Sequence, residues 1–196
     1  MSLEKILKAE SVAIIGASKN ETKRGYQTIR TLLDEKYEGR IYPVNPKERS
    51  ILGFKCYKKI SDIEEPVDVA LVATPAATLP AVLEDCGLNG VSGAVVLAGG
   101  FGEMGREGRK LENDMVAVAK KHHIRLIGPN TSGMLNLRDH LNLVGLKDAP
   151  PGDIALLTQS GNMALTLITE AKIKSRKGFS YYVGVGNEAD IQFHEY

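Results

Sequence analysis

Five short apolar runs recur along the chain, and their spacing limits the fold more than any other feature. They are Val12–Ile15, Arg40–Val44, Val67–Ala73, Gly93–Leu97 and Arg125–Ile127. Their starts lie roughly 25–30 residues apart, the length of a strand, a helix and their loops. The runs DVALVA and GAVVLA are continuous rather than alternating, so these strands are expected to be buried on both faces. Between the runs, apolar residues fall on one side at helical spacing. Leu79, Val82, Leu83 and Cys86 make one such stripe; Leu111, Met115 and Val118 make another, with lysines and glutamates opposite. Strands alternating with helices predict an α/β fold, a Rossmann-like doubly wound parallel sheet with right-handed crossovers.

Composition narrows the function. The 196 residues are 43% hydrophobic and 25% charged, as in an ordinary globular protein. A net charge of +1 and the absence of Trp offer neither a basic field nor stacking platforms, so no nucleic-acid partner is expected. No apolar run is long enough for a bilayer and the N-terminus lacks a signal-peptide pattern, so no membrane association is expected either. Cys56 and Cys86 are isolated and have no metal-ligand spacing; they read as reduced thiols of a cytoplasmic protein without a metal site. The run Lys120-Lys121-His122-His123 reads as favourable charge at a helix C-terminus.

In doubly wound sheets, ligands bind beyond the carboxyl ends of the strands. Every unusual stretch falls there: Gly16–Gly25, Asn45-Pro46-Lys47, Thr74-Pro75-Ala76, Ala98–Gly105 and Gly128–Gly133. The first departs from G-x-G-x-x-G, because Gly16-Ala17-Ser18 leads into a polar, basic excursion before Gly25. A strand–turn–helix start carrying Lys19, Lys23 and Arg24 suits a phosphate. After the second strand an NAD site has Asp or Glu for the ribose hydroxyls. Here Asn45 and Lys47 stand instead, which fits a phosphorylated ribose, as in NADP or coenzyme A, and fits NAD poorly. Gly100–Gly105 and Gly184–Ala189 match fingerprint variants outside a complete βαβ unit. The first is expected to be a mobile loop beside the site and the second a phosphate loop of its own. Gln159-Ser160-Gly161 is no hydrolase elbow, since Thr158 and Asn162 occupy the glycine positions.

The pattern changes after Gly133. A first domain is expected over 1–133 and a linker or crossing segment over 134–152, with a stiff Pro-Pro-Gly break at its end. A partial second domain follows over 153–196, with a strand at Asp153–Leu157, a helix to about Ala171 and a strand at Ser180–Val185. Two strands and a helix cannot bury both faces of a parallel sheet. This part is expected to dock on the first domain or to begin a larger, truncated one, and the second expectation is favoured.

Taken in order, VAIIGAS with Lys23 and Gly25, YPVNPK, VATPA, AGGFGE, IGPNTSG, TQSGN and GVGNEAD resemble a known family. It is the CoA-binding, α-subunit side of the nucleoside-diphosphate-forming acyl-CoA synthetases, the superfamily of ADP-forming acetyl-CoA synthetase and succinyl-CoA synthetase. The resemblance implies that Gly16, Ala17, Ser18, Lys19, Asn20, Lys23 and Gly25 cradle the phosphates of CoA or acyl-CoA. It implies that Lys47, beside Asn45, faces the ribose phosphate, and that Thr74, Pro75, Ala76, Ala98, Gly99 and Gly100 flank the nucleotide and pantetheine. Gly128, Pro129 and Asn130 would lie near the thioester end. Ser160, Gly161, Asn162, Gly186 and Asn187 would surround a phosphate in the second, flavodoxin-like domain.

The family reaction takes acyl-CoA and phosphate to an acyl phosphate, moves the phosphoryl group to a histidine, and passes it to ADP. The ADP/ATP and Mg site then belongs to an ATP-grasp domain or subunit, fused or separate, and the whole can be an oligomer. Two departures matter. Thr131 stands where the family often has cysteine, and the surroundings of His194 do not match those of the phosphorylated histidine, which lies further along than this chain reaches. No catalytic residue is therefore expected here. Relatives fused to an acetyltransferase imply an alternative, a CoA-sensing regulatory module without phosphoryl transfer. A third reading, an NADP-dependent oxidoreductase, lacks any hydride-transfer site.

Overall fold

The computed structural model describes residues 3–174 and 177–196. A short helix α1 (Leu3–Leu7) precedes β1 (Ser11–Ile15), α2 (Arg24–Asp34) and β2 (Arg40–Val44). A small hairpin follows, β3 (Ser50–Ile51) and β4 (Phe54–Lys55). Then come β5 (Val69–Val72), α3 (Leu79–Asn89), β6 (Gly93–Val96), α4 (Arg106–Lys121) and β7 (Arg125–Ile127). One wholly parallel sheet results, in the order β2-β1-β5-β6-β7. The chain leaves β1 toward one edge and restarts on its other side at β5. The strand order therefore reverses between the carboxyl ends of β1 and β5, where such sheets open a ligand crevice.

Both faces of this sheet are covered, which accounts for the unbroken apolar runs. Val12, Ile14, Val69, Leu71 and Val95 meet Ile29 and Leu32 of α2 on one side. Ala13, Ala70, Val72, Ala94 and Val96 lie on the other, under Leu79, Leu83 and Cys86 of α3 and Met115 and Ala119 of α4. Burying each large aliphatic side chain contributes about 1.5–3 kcal/mol. Burial also pushes the Cys86 thiol up to about 12, so the reactive thiolate is scarce. Cys86 is expected to resist an alkylating reagent at pH 8 and to react once denaturant opens the core, which mass spectrometry of the labelled peptide reads directly.

Past β7 the chain forms a hairpin, β8 (Met134–Asn136) and β9 (Leu141–Asn142), then β10 (Pro151–Thr158), α5 (Gly161–Lys174) and β11 (Phe179–Gly184). Their sheet runs β10-β11-β8-β9, parallel only between β10 and β11. Residues 134–142, read from sequence as part of a crossing segment, are thus hydrogen-bonded into the second sheet. The polar residues that disguised them are buried turn-makers. Asn136 accepts from the N–H groups of Arg138 and Asp139 and donates to the Leu7 carbonyl. Asn142 accepts from those of Val144 and Gly145 and donates to the Glu35 carboxylate and the Leu146 carbonyl. Buried amides so satisfied hold loops rather than linkers.

The second sheet docks on the first. Met134, Leu141, Leu143, Val183 and Ile191 share one core with Ile14 and Leu71, beside α2. Helix α5 lies over Leu135, Phe179 and Tyr182, turning Ala164 and Ile168 inward and leaving Met163, Leu165, Leu167 and Ile173 exposed. No helix among the described residues is long and apolar enough to cross a membrane.

Candidate functional site

The loops after β1, β2, β5 and β6 converge at the crevice between β1 and β5. Gly16 turns there with φ +88°, and a Cβ on it would stand 2.9 Å from the Ala73 carbonyl oxygen, so this position needs glycine twice over. The ten residues from Gly16 to Gly25 then close on themselves. The Asn20 backbone N–H donates to Ser18 Oγ at 3.0 Å, and Asn20 Oδ1 accepts from the Thr22 N–H and hydroxyl at 2.9 and 2.7 Å. The Lys23 N–H reaches the Asn20 carbonyl at 3.0 Å, and α2 begins one residue later. Gly25 lies so close to the Gly16 and Ala17 backbone that helix and loop touch without a side chain between them. A longer loop thus achieves the close helix–strand approach that glycines give in the shorter fingerprint.

Charge around this loop is unevenly committed. Lys19 pairs with Glu48 at 3.0 Å. Lys23 and Lys47 have no ion-pair partner among the described residues, and both are exposed. Asn45 ties the second strand end to the loop: its amide donates to the Ala17 carbonyl at 2.6 Å, and its Oδ1 accepts the Lys47 N–H at 2.9 Å. The hairpin β3–β4 returns beside β2, with Tyr57 bridging Val44. It carries Lys58 and Lys59 to a largely apolar cavity of about 530 Å³ that also touches Gly16, Asn45, Pro46, Thr74 and Pro75. These two lysines escaped sequence reading. Adjoining it, a cleft of about 410 Å³ lies between Gly16, Lys23, Gly25, Thr74, Pro75 and Ala98.

The remaining predicted residues divide into two groups. Glycines 99 and 100 and Asn130 face a separate polar patch. Glu103 accepts the Gly100 N–H at 2.6 Å, and the Asn187 amide donates to Glu103 at 2.6 Å and to Glu112 at 3.1 Å. Phe101 is fully buried and the Gly102 N–H donates to Glu112 at 3.2 Å, so the loop expected to be mobile is anchored by an aromatic side chain and by polar contacts to Asn187 and Glu112. Burial alone would raise the Glu103 carboxyl, but hydrogen bonds from Asn187 and the Gly100 N–H outweigh it and hold the group below its ordinary range. Gly186 sits against the Pro129 carbonyl, and the Asn187 N–H donates to that same oxygen at 2.9 Å. No α-helix follows Gly186 among the described residues, only turns and a short 3-10 segment at Phe193–Glu195.

Ser160, Gly161 and Asn162 start α5 on the other side of Thr131 and Ser132. Ser160 Oγ caps the helix by accepting the Met163 N–H at 3.2 Å. Gly161 and Asn162 border a third cavity with Arg24, Thr131 and Ser132, whereas Gly186 and Asn187 border another with Asn130 and Gln159. His194 follows Phe193, whose N–H donates to the Glu188 carboxylate at 3.0 Å. Its neighbour Glu195 is bound by Arg125 at 2.8 Å, at the amino end of β7 and opposite the loops.

With this geometry in hand, the likenesses are specific. A family model described as "CoA binding domain" matches residues 10–136, and one described as "Succinyl-CoA ligase like flavodoxin domain" matches 151–196. The ADP-forming acetate–CoA ligase of Methanocaldococcus jannaschii is 44% identical over 184 residues, 93% of this chain and 25% of that protein. The α subunit of ADP-forming acetate–CoA ligase I from Pyrococcus furiosus is 43% identical across 97% of this chain and 42% of its own length. A solved acetyl-coenzyme A synthetase 1 of Ca. Korarchaeum cryptofilum, in complex with phosphate and ADP, superposes with a TM-score of 0.94 at 36% identity. The superposition covers 99% of this chain and 41% of that one. The chain therefore spans less than half the length of these relatives.

Proposed function

The chain belongs to the CoA-binding domain family, and from that premise we propose that its loop cluster binds coenzyme A or an acyl-CoA as part of an ADP-forming acyl-CoA ligase. The observation that carries the reading is the uncommitted pair of Lys23, within the Gly16–Gly25 loop, and Lys47, at the adjoining end of β2, with Asn45 where a ribose-binding carboxylate would stand. The residues fit the ligand. Backbone N–H groups, Lys23 and the start of α2 receive the diphosphate; Lys47, aided by Lys58 and Lys59, receives the ribose phosphate; the apolar walls of the neighbouring cavity take the adenine. Coenzyme A supplies the thiol that carries the acyl group; this chain's residues hold and orient it.

The rest of the ligase reaction is assigned elsewhere. ADP with Mg is taken by an ATP-grasp partner, fused or separate, and the start of α5 contributes to a phosphate site in the second unit. The exposed Met163, Leu165, Leu167 and Ile173 on α5 support a further apolar surface covering this helix.

The test compares coenzyme A, dephospho-CoA, NADP and NAD by thermal shift. At about 100-fold over its dissociation constant a true ligand adds ~2.7 kcal/mol, a rise of roughly 5–11 °C for a chain this size. Coenzyme A is expected to give it and NAD none; a shift with NADP alone would sink the reading. Lys47→Ala is expected to weaken coenzyme A about 10- to 150-fold, the worth of one charge-assisted contact. Titration calorimetry should then find that removing the ribose phosphate from the ligand costs the variant little more.

A further inference from the structure

Strand β7 ends one side of the five-stranded sheet, pairing with β6 and turning its other edge outward. The backbone groups of an outer strand need partners, and here they come from the second sheet. After β11 the chain runs antiparallel along β7. The N–H groups of Asn187, Ala189 and Ile191 donate in turn to the carbonyls of Pro129, Gly128 and Leu126, at 2.9, 3.1 and 3.3 Å. In a sheet the outward Leu126 N–H would meet a backbone carbonyl. It donates instead to Asp190 Oδ2 at 2.8 Å, and the same oxygen accepts from Arg125 Nε at 2.9 Å. The Asp190 carboxylate thus replaces one ladder bond with two charge-assisted ones, which are stronger than neutral bonds.

This edge bears on the loop cluster through the turn after β7. The Asn130 N–H donates to the Ala98 carbonyl at 2.8 Å, and Ala98 lines the cleft beside the Gly16–Gly25 loop. On the other side, Gly186 lies so close that a Cβ on it would stand 2.2 Å from the Pro129 carbonyl oxygen. Residues 128–130 are therefore held between Ala98 and the segment that Asp190 fastens.

Resting on the coenzyme A reading above, we propose that Asp190 is a positioning residue for that site: it locks residues 187–191 onto β7 and so fixes the turn at 128–130 against Ala98. On that reading the loop after β1 takes the diphosphate and Lys47 the ribose phosphate, so the Ala98 side of the cleft meets the pantetheine arm. Releasing Asp190 loosens the hold on the arm and spares the grip on the nucleotide.

The test is calorimetric titration of the wild type, Asp190→Ala, Asp190→Asn and Glu195→Ala with coenzyme A and with adenosine 3′,5′-bisphosphate, which lacks the arm. Asp190→Ala is expected to weaken coenzyme A about 3- to 30-fold, the range for a substitution acting through packed contacts, and to leave the bisphosphate within about twofold. Asp190→Asn keeps the shape but loses the charge facing Arg125. It should show the same selective loss at roughly threefold, and it carries the test if the alanine variant does not fold. Glu195→Ala removes the other partner of Arg125, bonded at 2.8 Å, without freeing the β7 edge, so both affinities should stay within about twofold. Equal weakening of the two ligands, no weakening of either, or a Glu195→Ala loss matching that of Asp190→Ala overturns the positioning role while the coenzyme A site stands. Failure of the wild type to bind coenzyme A overturns the site and this role together.

Discussion

Gly25→Ala is expected to lower coenzyme A affinity at least ~150-fold and to cost about 1–3 kcal/mol of stability, the usual range for overpacking. A Cβ at residue 25 would stand 2.4 Å from the Gly16 carbonyl oxygen and 2.8 Å from the Ala17 Cα. Both are backbone atoms, so no side chain can swing aside, and restoring van der Waals contact near ~3.5 Å needs a displacement of about 1 Å. The loop has little freedom to give. The Gly16 N–H is bonded to the Val44 carbonyl at 3.1 Å, and the Ala17 carbonyl holds the Asn45 amide at 2.6 Å. The first turn of α2 must move instead, taking Lys23 and Arg24 away from the crevice. Losing two charge-assisted contacts costs at least ~3 kcal/mol, which is about 150-fold. Calorimetry measures the affinity, and circular dichroism checks that the variant stays folded. Binding within tenfold of the wild type by a folded Gly25→Ala protein would mean that this close approach does not build the site.

The central sheet was legible because its strands are buried on both faces and read as unbroken apolar runs. The place where the loops converge followed from the same pattern, since Gly16, Asn45, Thr74 and Ala98 all follow strands. Three things were not legible, each for its own reason. The β3–β4 hairpin turns at Leu52-Gly53, where both residues have positive φ (48° and 88°). Tight hairpins of that kind are signalled by Asn-Gly or Asp-Gly, and leucine hides the turn; with it went Lys58 and Lys59. The β8–β9 hairpin was masked by Asn136 and Asn142, whose amide oxygens are taken by N–H groups of their own loops. The partner of Asn187 was beyond any local pattern, because Glu103 and Glu112 reach it from 84 and 75 residues away. Sequence periodicity reports faces of elements; it does not report which loops from two sheets meet.

That meeting point gives the second large effect. Asn187→Leu is expected to destabilise the chain by about 3 kcal/mol, the lower sum for two hydrogen bonds to charged groups, and to lower the melting temperature by roughly 6–12 °C. The Glu112 side chain, 6% exposed, would keep only Arg109 and the Gly102 N–H, both at 3.2 Å, as partners among the described residues. Glu103 would keep the Gly100 N–H. The loss should also depend on pH, with a definite sign. The folded-state Glu103 carboxyl is held below its ordinary value of 4.5 in part by Asn187. A depressed carboxyl contributes stability above its unfolded value and loses it as the pH falls through the folded one. The gap between wild type and Asn187→Leu should therefore be full at neutral pH and narrow as the pH drops below the ordinary carboxyl range. Asn187→Asp separates charge from shape: three carboxylates then crowd one patch, so it should be the less stable variant at pH 7 and regain stability on acidification. Melts of the three proteins from pH 7 down to about pH 2 decide the matter. A gap independent of pH would mean that Asn187 acts by packing alone, and that the carboxylates do not hold the second sheet's loop against the first.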